Sequence, residues 1–239
     1  MTLQAVIADN LRDVRTRIDA AARRVSRDPG GVTLIAVSKT FPSEHVRAAA
    51  AAGQVDFGEN KVQEALQKIA ETSDITLRWH LIGHLQSNKA RKAATPFALI
   101  HSIDSTDLLE RVDQAAAEAE STPDVLVQVD LAGEETKFGA PADAARRIVD
   151  AALGAKAVKL AGLMIVPPWN EDQEQTRPWF KQLRELRDEW VASGIERSSL
   201  RHLSMGMSHD FEAAIEEGST LVRVGTAIFG KRTYKEPHV

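Results

Sequence analysis

The stretch LIAVSKTFP, residues 34–42, is the strongest local sign of chemistry in this sequence. Its apolar run contains β-branched Ile35 and Val37 and reads as a strand buried on both faces. The run ends in Ser38-Lys39-Thr40, and Pro42 with Ser43 stops the strand and opens a helix. A lysine at the C-terminal end of a buried parallel strand lies where α/β folds place their reactive groups. Partial desolvation there lowers the ammonium pKa and leaves a nucleophilic amine. Alone, such a lysine more often snorkels to solvent. Two distant stretches change that reading. Ser204-Met205-Gly206-Met207-Ser208 has hydroxyls at both ends and a glycine that allows close backbone approach. Gly225-Thr226 follows a strand-like run and opens a helical turn whose N–H groups would point at an anion. Arg223, at the end of that run, could reach the same region. Gly-Thr after a strand is mostly turn chemistry by itself. Two such stretches after the last two strands suit a phosphate site.

Other candidates carry less. His80 and His84 are four apart, a metal-ligand spacing on a helix, but the segment reads as a strand followed by Gly83, so they share no helical face. His101 and His202 read as hydrogen-bonded core or mouth residues, and His209-Asp210 as a helix cap. Trp169, Trp179 and Trp190 read as packing on an outer helix, and Glu134-Glu135-Thr136-Lys137 as a solvated loop near the mouth.

The elements that must position these residues alternate along the chain. Residues 2–28 form an amphipathic helix, with Ile7, Leu11, Val14, Ile18, Ala22 and Val25 at steps of three and four, ended by Pro29-Gly30-Gly31. Strands are expected at 33–37, 55–57, 77–82, 97–102, 125–129, 160–166, 202–204 and 221–224. Helices are expected at 43–52, 61–69, from about 87, after Asp104-Ser105, and over 141–154, 173–192 and 210–217. Strands alternating with helices argue a parallel sheet with right-handed crossovers. The count of eight favours a closed (β/α)8 TIM barrel over an open doubly wound sheet, and no G-x-G-x-x-G follows the first strand. The whole of residues 1–239 is expected to be one domain, with helix 1–30 packed on the barrel and a loose tail over 231–239.

Composition sets outer limits. Hydrophobic residues make up 43% and charged ones 27% of 239 residues, the balance of a globular chain with a large core. A net charge of −4 with scattered basic residues argues against a nucleic-acid partner. The absence of cysteine excludes disulfides, thiolate metal sites and a Cys nucleophile, and fits a reducing compartment. No apolar run approaches the ~20 residues of a membrane span, and Asp9, Asp13 and Asp19 interrupt what would be a signal peptide, so a cytoplasmic location is expected.

With Lys39 and the phosphate loops on one barrel mouth, the fitting ligand is an aldehyde that carries a phosphate. Pyridoxal 5′-phosphate (PLP), held as a Schiff base on lysine, is one such molecule; a sugar phosphate on a lysine-dependent aldolase is another. The local sequences LIAVSKTFP, DFGENKVQE, WHLIGHLQSNK, HSIDS, KFGA, LSMGMSHDFEAAIEEGST and VRVGTAIFG resemble those of the pyridoxal phosphate homeostasis proteins. The likeness runs in order from about residue 33 to 230.

That resemblance implies a single barrel similar to the N-terminal domain of alanine racemase. It implies that Lys39 is the Schiff-base lysine, and that Ser204, Gly225 and Thr226 hold the phosphate, with Met205, Gly206 and Ser208 shaping the loop. It places Arg223 against the pyridine nitrogen, and Asn60 and His80 near the ring. An arginine stays protonated and disfavours a protonated pyridine nitrogen, so the ring becomes a poor electron sink. The alanine racemase pattern also needs a tyrosine base from a second domain. Here the sole tyrosine is Tyr234, in the polar tail. The expectation is therefore a monomeric PLP carrier in vitamin B6 homeostasis that releases the cofactor to amines or apo-enzymes. A racemase-like enzyme is the alternative, with His80 or a water as opposing base.

Overall fold

The structure is a computed structural model, described over residues 1–133 and 138–231. Tyr234, Glu134-Glu135-Thr136-Lys137 and the tail beyond 231 lie outside the described residues. Eight strands close into one all-parallel barrel in sequence order. They are β1 Thr33–Val37, β2 Asp56–Glu59, β3 Arg78–Leu81, β4 Leu99–Ile103, β5 Asp124–Gln128, β6 Lys159–Met164, β7 His202–Met207 and β8 Leu221–Val224. The helices are α1 Leu3–Arg24, α2 Ser43–Ala51, α3 Val62–Glu71, α4 Ala90–Ala93, α5 Thr106–Glu118, α6 Ala142–Leu153, α7 Arg177–Ala192, α8 Phe211–Glu216 and α9 Thr226–Phe229.

The strands are apolar on both faces because both are covered. Ile35, Leu99, Leu126, Ala161, Met164 and Leu221 form a small cluster inside the barrel. The alternate positions, among them Leu34, Ala36, Phe57, Leu81, Leu163 and Val222, join the larger core under the helices. Register brings Ile35 beside Arg223 and Val37 beside Gly58, so β8, β1 and β2 share one rim. Helix α1 lies on that rim's outer side. Its stripe of Ile7, Leu11, Val14 and Ile18 is buried, worth roughly 1.5–3 kcal/mol per side chain, and Asn10 Nδ2 donates to Ile228 O at 2.8 Å in α9.

Several bounds differ from the expectation for local reasons. Helix α1 stops at Arg24 rather than 28, because Ser26 turns left-handed at φ 56° and Asp28 caps the separate turn Pro29–Gly31. Strand β7 continues three residues past Ser204 through a register shift, so the glycine-rich segment is strand and not loop. Gly206 lies there at φ 92°, and a Cβ on it would stand 2.6 Å from Ala214 Cβ in α8. Glycine is needed at that point for close packing on a helix, and a strand is not ended by it. Asp210 does not cap α8 with its side chain; it reaches back to accept from the Met207 N–H at 2.7 Å. Trp190 and Trp179 pack as expected, whereas Trp169 is 74% exposed on the segment after β6. No helix among the described residues is long and apolar enough to cross a membrane.

Candidate functional site

The C-terminal ends of four neighbouring strands, β7, β8, β1 and β2, carry the residues singled out by type and spacing. After β8 the chain turns at once into α9. The N–H groups of Gly225 and Ala227 converge on Ser208 Oγ at 3.0 and 3.4 Å, and Thr226 Oγ1 lies 3.4 Å from the same oxygen. Ser208 comes from the end of β7, so two loops join in one cup of donors. A Cβ on Gly225 would lie 3.2 Å from Val37 O, two residues before Lys39. Glycine thus lets the cup close against the end of β1.

Lys39 is half-buried, and the backbone on either side of it is tied down from behind. Phe41 N–H donates to Ser38 O at 3.0 Å, closing a tight turn around the lysine. Thr40 sits left-handed at φ 69°, a conformation that costs a non-glycine residue on the order of 1–3 kcal/mol and persists only where its surroundings hold it. Its N–H donates to Glu64 Oε1 at 2.6 Å. Lys68 Nζ donates to Ser38 O at 2.7 Å, to Glu59 Oε1 at 2.7 Å and to Glu64 Oε1 at 2.8 Å, and Ser38 Oγ donates to Glu59 Oε1 at 2.6 Å. Burial pushes the Glu59 carboxyl above its usual range despite Lys68, and Glu59 Oε2 is buried without a partner. Burial also acts to raise Glu64, but its bonds from Lys68 and Thr40 outweigh that and hold it low.

Below the mouth the barrel is polar. Arg223 is fully enclosed and donates to Ser204 Oγ at 2.6 Å and to Ile165 O at 2.9 Å. Burial lowers its pKa to about 10, so it stays charged at neutral pH, with Asp210 acting the other way. Ser204 Oγ meets His101 Nδ1 at 2.8 Å, His101 Nε2 meets His80 Nδ1 at 3.1 Å, and His80 Nε2 meets Asp56 Oδ1 at 3.0 Å. Burial, with His80 and Arg223 nearby, holds the His101 pKa well below its usual value.

The structure sorts the predicted residues. Ser208, Gly225 and Thr226 come together in the cup, which closes against the end of β1 two residues before Lys39, and Arg223 lies two residues before Gly225 on β8. Asn60 is half-buried at the end of β2, against Gly83, where a Cβ would stand 2.4 Å from Asn60 O. Ser204 is not at the cup: its hydroxyl is spent on Arg223 and His101 deeper in the barrel, and Ser208 stands with Gly225 and Thr226 instead. Met205 turns outward into the core beneath the helices. His80 is engaged at both ring nitrogens, so it faces the site only through His101 and Ser204. His84 pairs with Asp104 at 3.3 Å and stacks on Phe138 with ring centroids 3.7 Å apart. Sequence reasoning missed Glu59, Glu64 and Lys68. The signal was a lysine on the buried stripe of α3, in step with Val62 and Ala65, four residues after a glutamate. It also missed Asp56, an inward-facing strand position.

A half-buried lysine just past the end of β1, a cup of N–H and O–H donors closed against that strand end and a buried guanidinium on β8 suit an anionic, electrophilic ligand. Comparison with known proteins agrees with that chemistry. Residues 9–233 match the family described as alanine racemase, N-terminal domain. The pyridoxal phosphate homeostasis protein of Aquifex aeolicus is 42% identical over 229 residues, covering 95% of this chain and 98% of that protein. The protein of the same name from Pseudomonas aeruginosa is 42% identical over 233 residues, covering 98% and 99%. The structure of PipY from Synechococcus elongatus with PLP bound superposes with a TM-score of 0.83 at 41% identity, covering 94% of this chain and all of that one.

Proposed function

Because this chain belongs to the family of pyridoxal phosphate homeostasis proteins, we propose that it binds PLP at the barrel mouth, with Lys39 as the attachment point, and acts as a carrier of the cofactor. The observation that carries the reading is the donor cup of Gly225, Ala227, Thr226 and Ser208 closing against the strand end that bears Lys39. Its groups fit a phosphate dianion, since every one is an N–H or O–H and the glycine leaves room for close approach. PLP, when bound, supplies an aldehyde that condenses with an amine as a Schiff base, with loss of water.

This chain's own residues do the rest. Ser208, Thr226 and the two N–H groups bind and orient the phosphate. The turn around Lys39, fixed by Lys68, Glu59 and Glu64, holds the amine at the rim. Arg223 presents N–H donors and a fixed positive charge from below, which keeps a ring nitrogen opposite it unprotonated. A ring nitrogen without its proton makes a poor electron sink, which the alanine racemase pattern tolerates by supplying a second base, so this arrangement, without such a base among the described residues, favours holding over turnover. That His80 is engaged on both nitrogens supports the same reading, because a racemase needs a free opposing base. Lys39 would hold the cofactor and give it up to another amine, and the recipients on this reading are free amines and the apo forms of PLP-dependent enzymes. We take the working unit to be a single chain in the cytoplasm, the barrel needing no second domain for the cup.

Borohydride reduction of the PLP-loaded protein, followed by peptide mass mapping, tests the attachment. The reduced adduct is expected on the peptide containing Lys39. An adduct on another lysine overturns the assignment. Steady turnover between D- and L-alanine would overturn the carrier role in favour of a racemase.

A further inference from the structure

Beneath the mouth, side chains from five strands join in one hydrogen-bonded line: Arg223 of β8, Ser204 of β7, His101 of β4, His80 of β3 and Asp56 of β2. All five are at most 7% exposed. At its far end, Asp56 accepts from Arg78 Nε at 2.8 Å and Nη2 at 2.7 Å, and borders a cavity of about 650 Å³ at the opposite end of the barrel with Arg15, Gln54 and Arg78. A guanidinium only donates and a carboxylate only accepts, so with both imidazoles neutral the two ends set one direction for every bond between them. Ser204 Oγ takes an N–H from Arg223 and gives its own hydrogen to His101 Nδ1. His101 then carries its proton on Nε2 and gives it to His80 Nδ1. His80 carries its proton on Nε2 and gives it to Asp56.

We propose that this line is an ordered relay in which His80 and His101, each held as the neutral Nε2–H tautomer, are positioning residues that set the Arg223 guanidinium through Ser204. The last step, from Arg223 to the ring nitrogen of PLP, rests on the function proposed above; the order of the line itself does not. The opposite arrangement, with His80 charged, reverses His101. Its Nδ1–H and Arg223 would then both donate to Ser204, whose own hydrogen would have no acceptor in the line. Burial and the neighbouring charges favour neutral His101, and the bonds from His80 and Arg78 outweigh burial at Asp56 and hold it ionised. The geometry and these preferences agree.

Two measurements test the relay. Long-range proton–nitrogen NMR spectra of the histidine-labelled apo protein at neutral pH read the tautomers directly and need no variant. Both rings are expected with the proton on Nε2; an Nδ1–H tautomer or a charged ring at either position overturns the order. The second compares His80→Gln with His80→Leu. A glutamine carbonyl accepts from His101 and its amide donates to Asp56, so the direction is kept; leucine breaks it. His80→Leu is expected to weaken PLP affinity about tenfold, the scale of one ordered hydrogen bond at Arg223, and His80→Gln to restore it to within about twofold. Equal affinity in both variants, whether lost or retained, overturns the positioning role. A wild type that takes up no PLP overturns the proposed function instead, and the apo spectrum still decides the order of the line.

Discussion

Lys68→Met is the most informative perturbation of the loop that carries Lys39. Methionine keeps the length of the side chain and removes its charge. Lys68 is 6% and Glu59 0% exposed in their side chains, so the change strands a carboxylate in a site without water. Removing one partner of a buried pair costs roughly 3–5 kcal/mol. An upper bound comes from the alternative open to Glu59, which is to take a proton. For a carboxyl with the ordinary value of 4.5, protonation at pH 7 costs about 3.4 kcal/mol at about 1.4 kcal/mol per pH unit. The loss is therefore expected at about 3 kcal/mol at pH 7. Expressed as a melting temperature it is roughly 6–12 °C for a chain of this size. The loss should shrink as pH falls toward 4.5. The sign follows from Glu59 itself: a carboxyl raised in the folded state stabilises most below its unfolded pKa and loses that contribution as pH rises. Thermal unfolding followed by circular dichroism at pH 5, 6 and 7 makes the measurement. Glu59→Gln in the Lys68→Met background should recover part of the loss, because an amide needs no counter-charge. A cost below about 1 kcal/mol at pH 7, or one that does not change with pH, refutes the claim that a buried ion cluster fixes this turn.

Gly206→Ala should destabilise the fold by roughly 1–3 kcal/mol, whereas Gly194→Ala, with a similar φ but nothing within 4 Å, should cost less; chemical denaturation of the two variants compares them. Ser208→Ala removes a cup hydroxyl and should weaken PLP binding about tenfold, while Met205→Leu, in the outer core, should leave affinity unchanged in the same titration. Burial, with Arg201 close by, lowers the His202 pKa to about 4. Its folded-state pKa lies below its unfolded one, so the stability it contributes is present above about pH 6.5 and is lost as pH falls toward 4. His202→Gln should flatten that part of a stability–pH curve, and an unchanged slope would contradict the assignment.

The parts of the fold that repeat locally were legible in the sequence. The stripe of α1 follows a period of 3.6, the apolar runs of β1 and β8 are continuous as strands covered on both faces require, and α5 begins at the serine cap expected, Ser105. The expected end of β7 at Ser204 falls three residues short because the glycine-rich segment reads as a loop, whereas the missing Cβ of Gly206 answers Phe211 and Ala214 of α8. The mouth was legible in Lys39, Gly225 and Thr226, which follow strand ends directly. Which serine joins them was not, because Ser204 and Ser208 differ only in the register shift at the end of β7. The ion cluster behind Lys39 and the line from Asp56 to Arg223 were hidden for one reason. Each pairs residues that alternate correctly within their own elements but meet only when separate strands and a helix are brought together. A lysine on the buried face of α3, and polar residues at inward-facing strand positions, were the visible traces of both.

The central claim, that Lys39 carries PLP beside the donor cup, is tested most directly by the near-visible absorption of the protein titrated with PLP, wild type beside Lys39→Ala. The account predicts a long-wavelength band in the wild type that saturates at one equivalent per chain and disappears on borohydride reduction. It predicts no such band in Lys39→Ala, whose spectrum should remain that of free PLP. The same band in both proteins, or in neither, contradicts it.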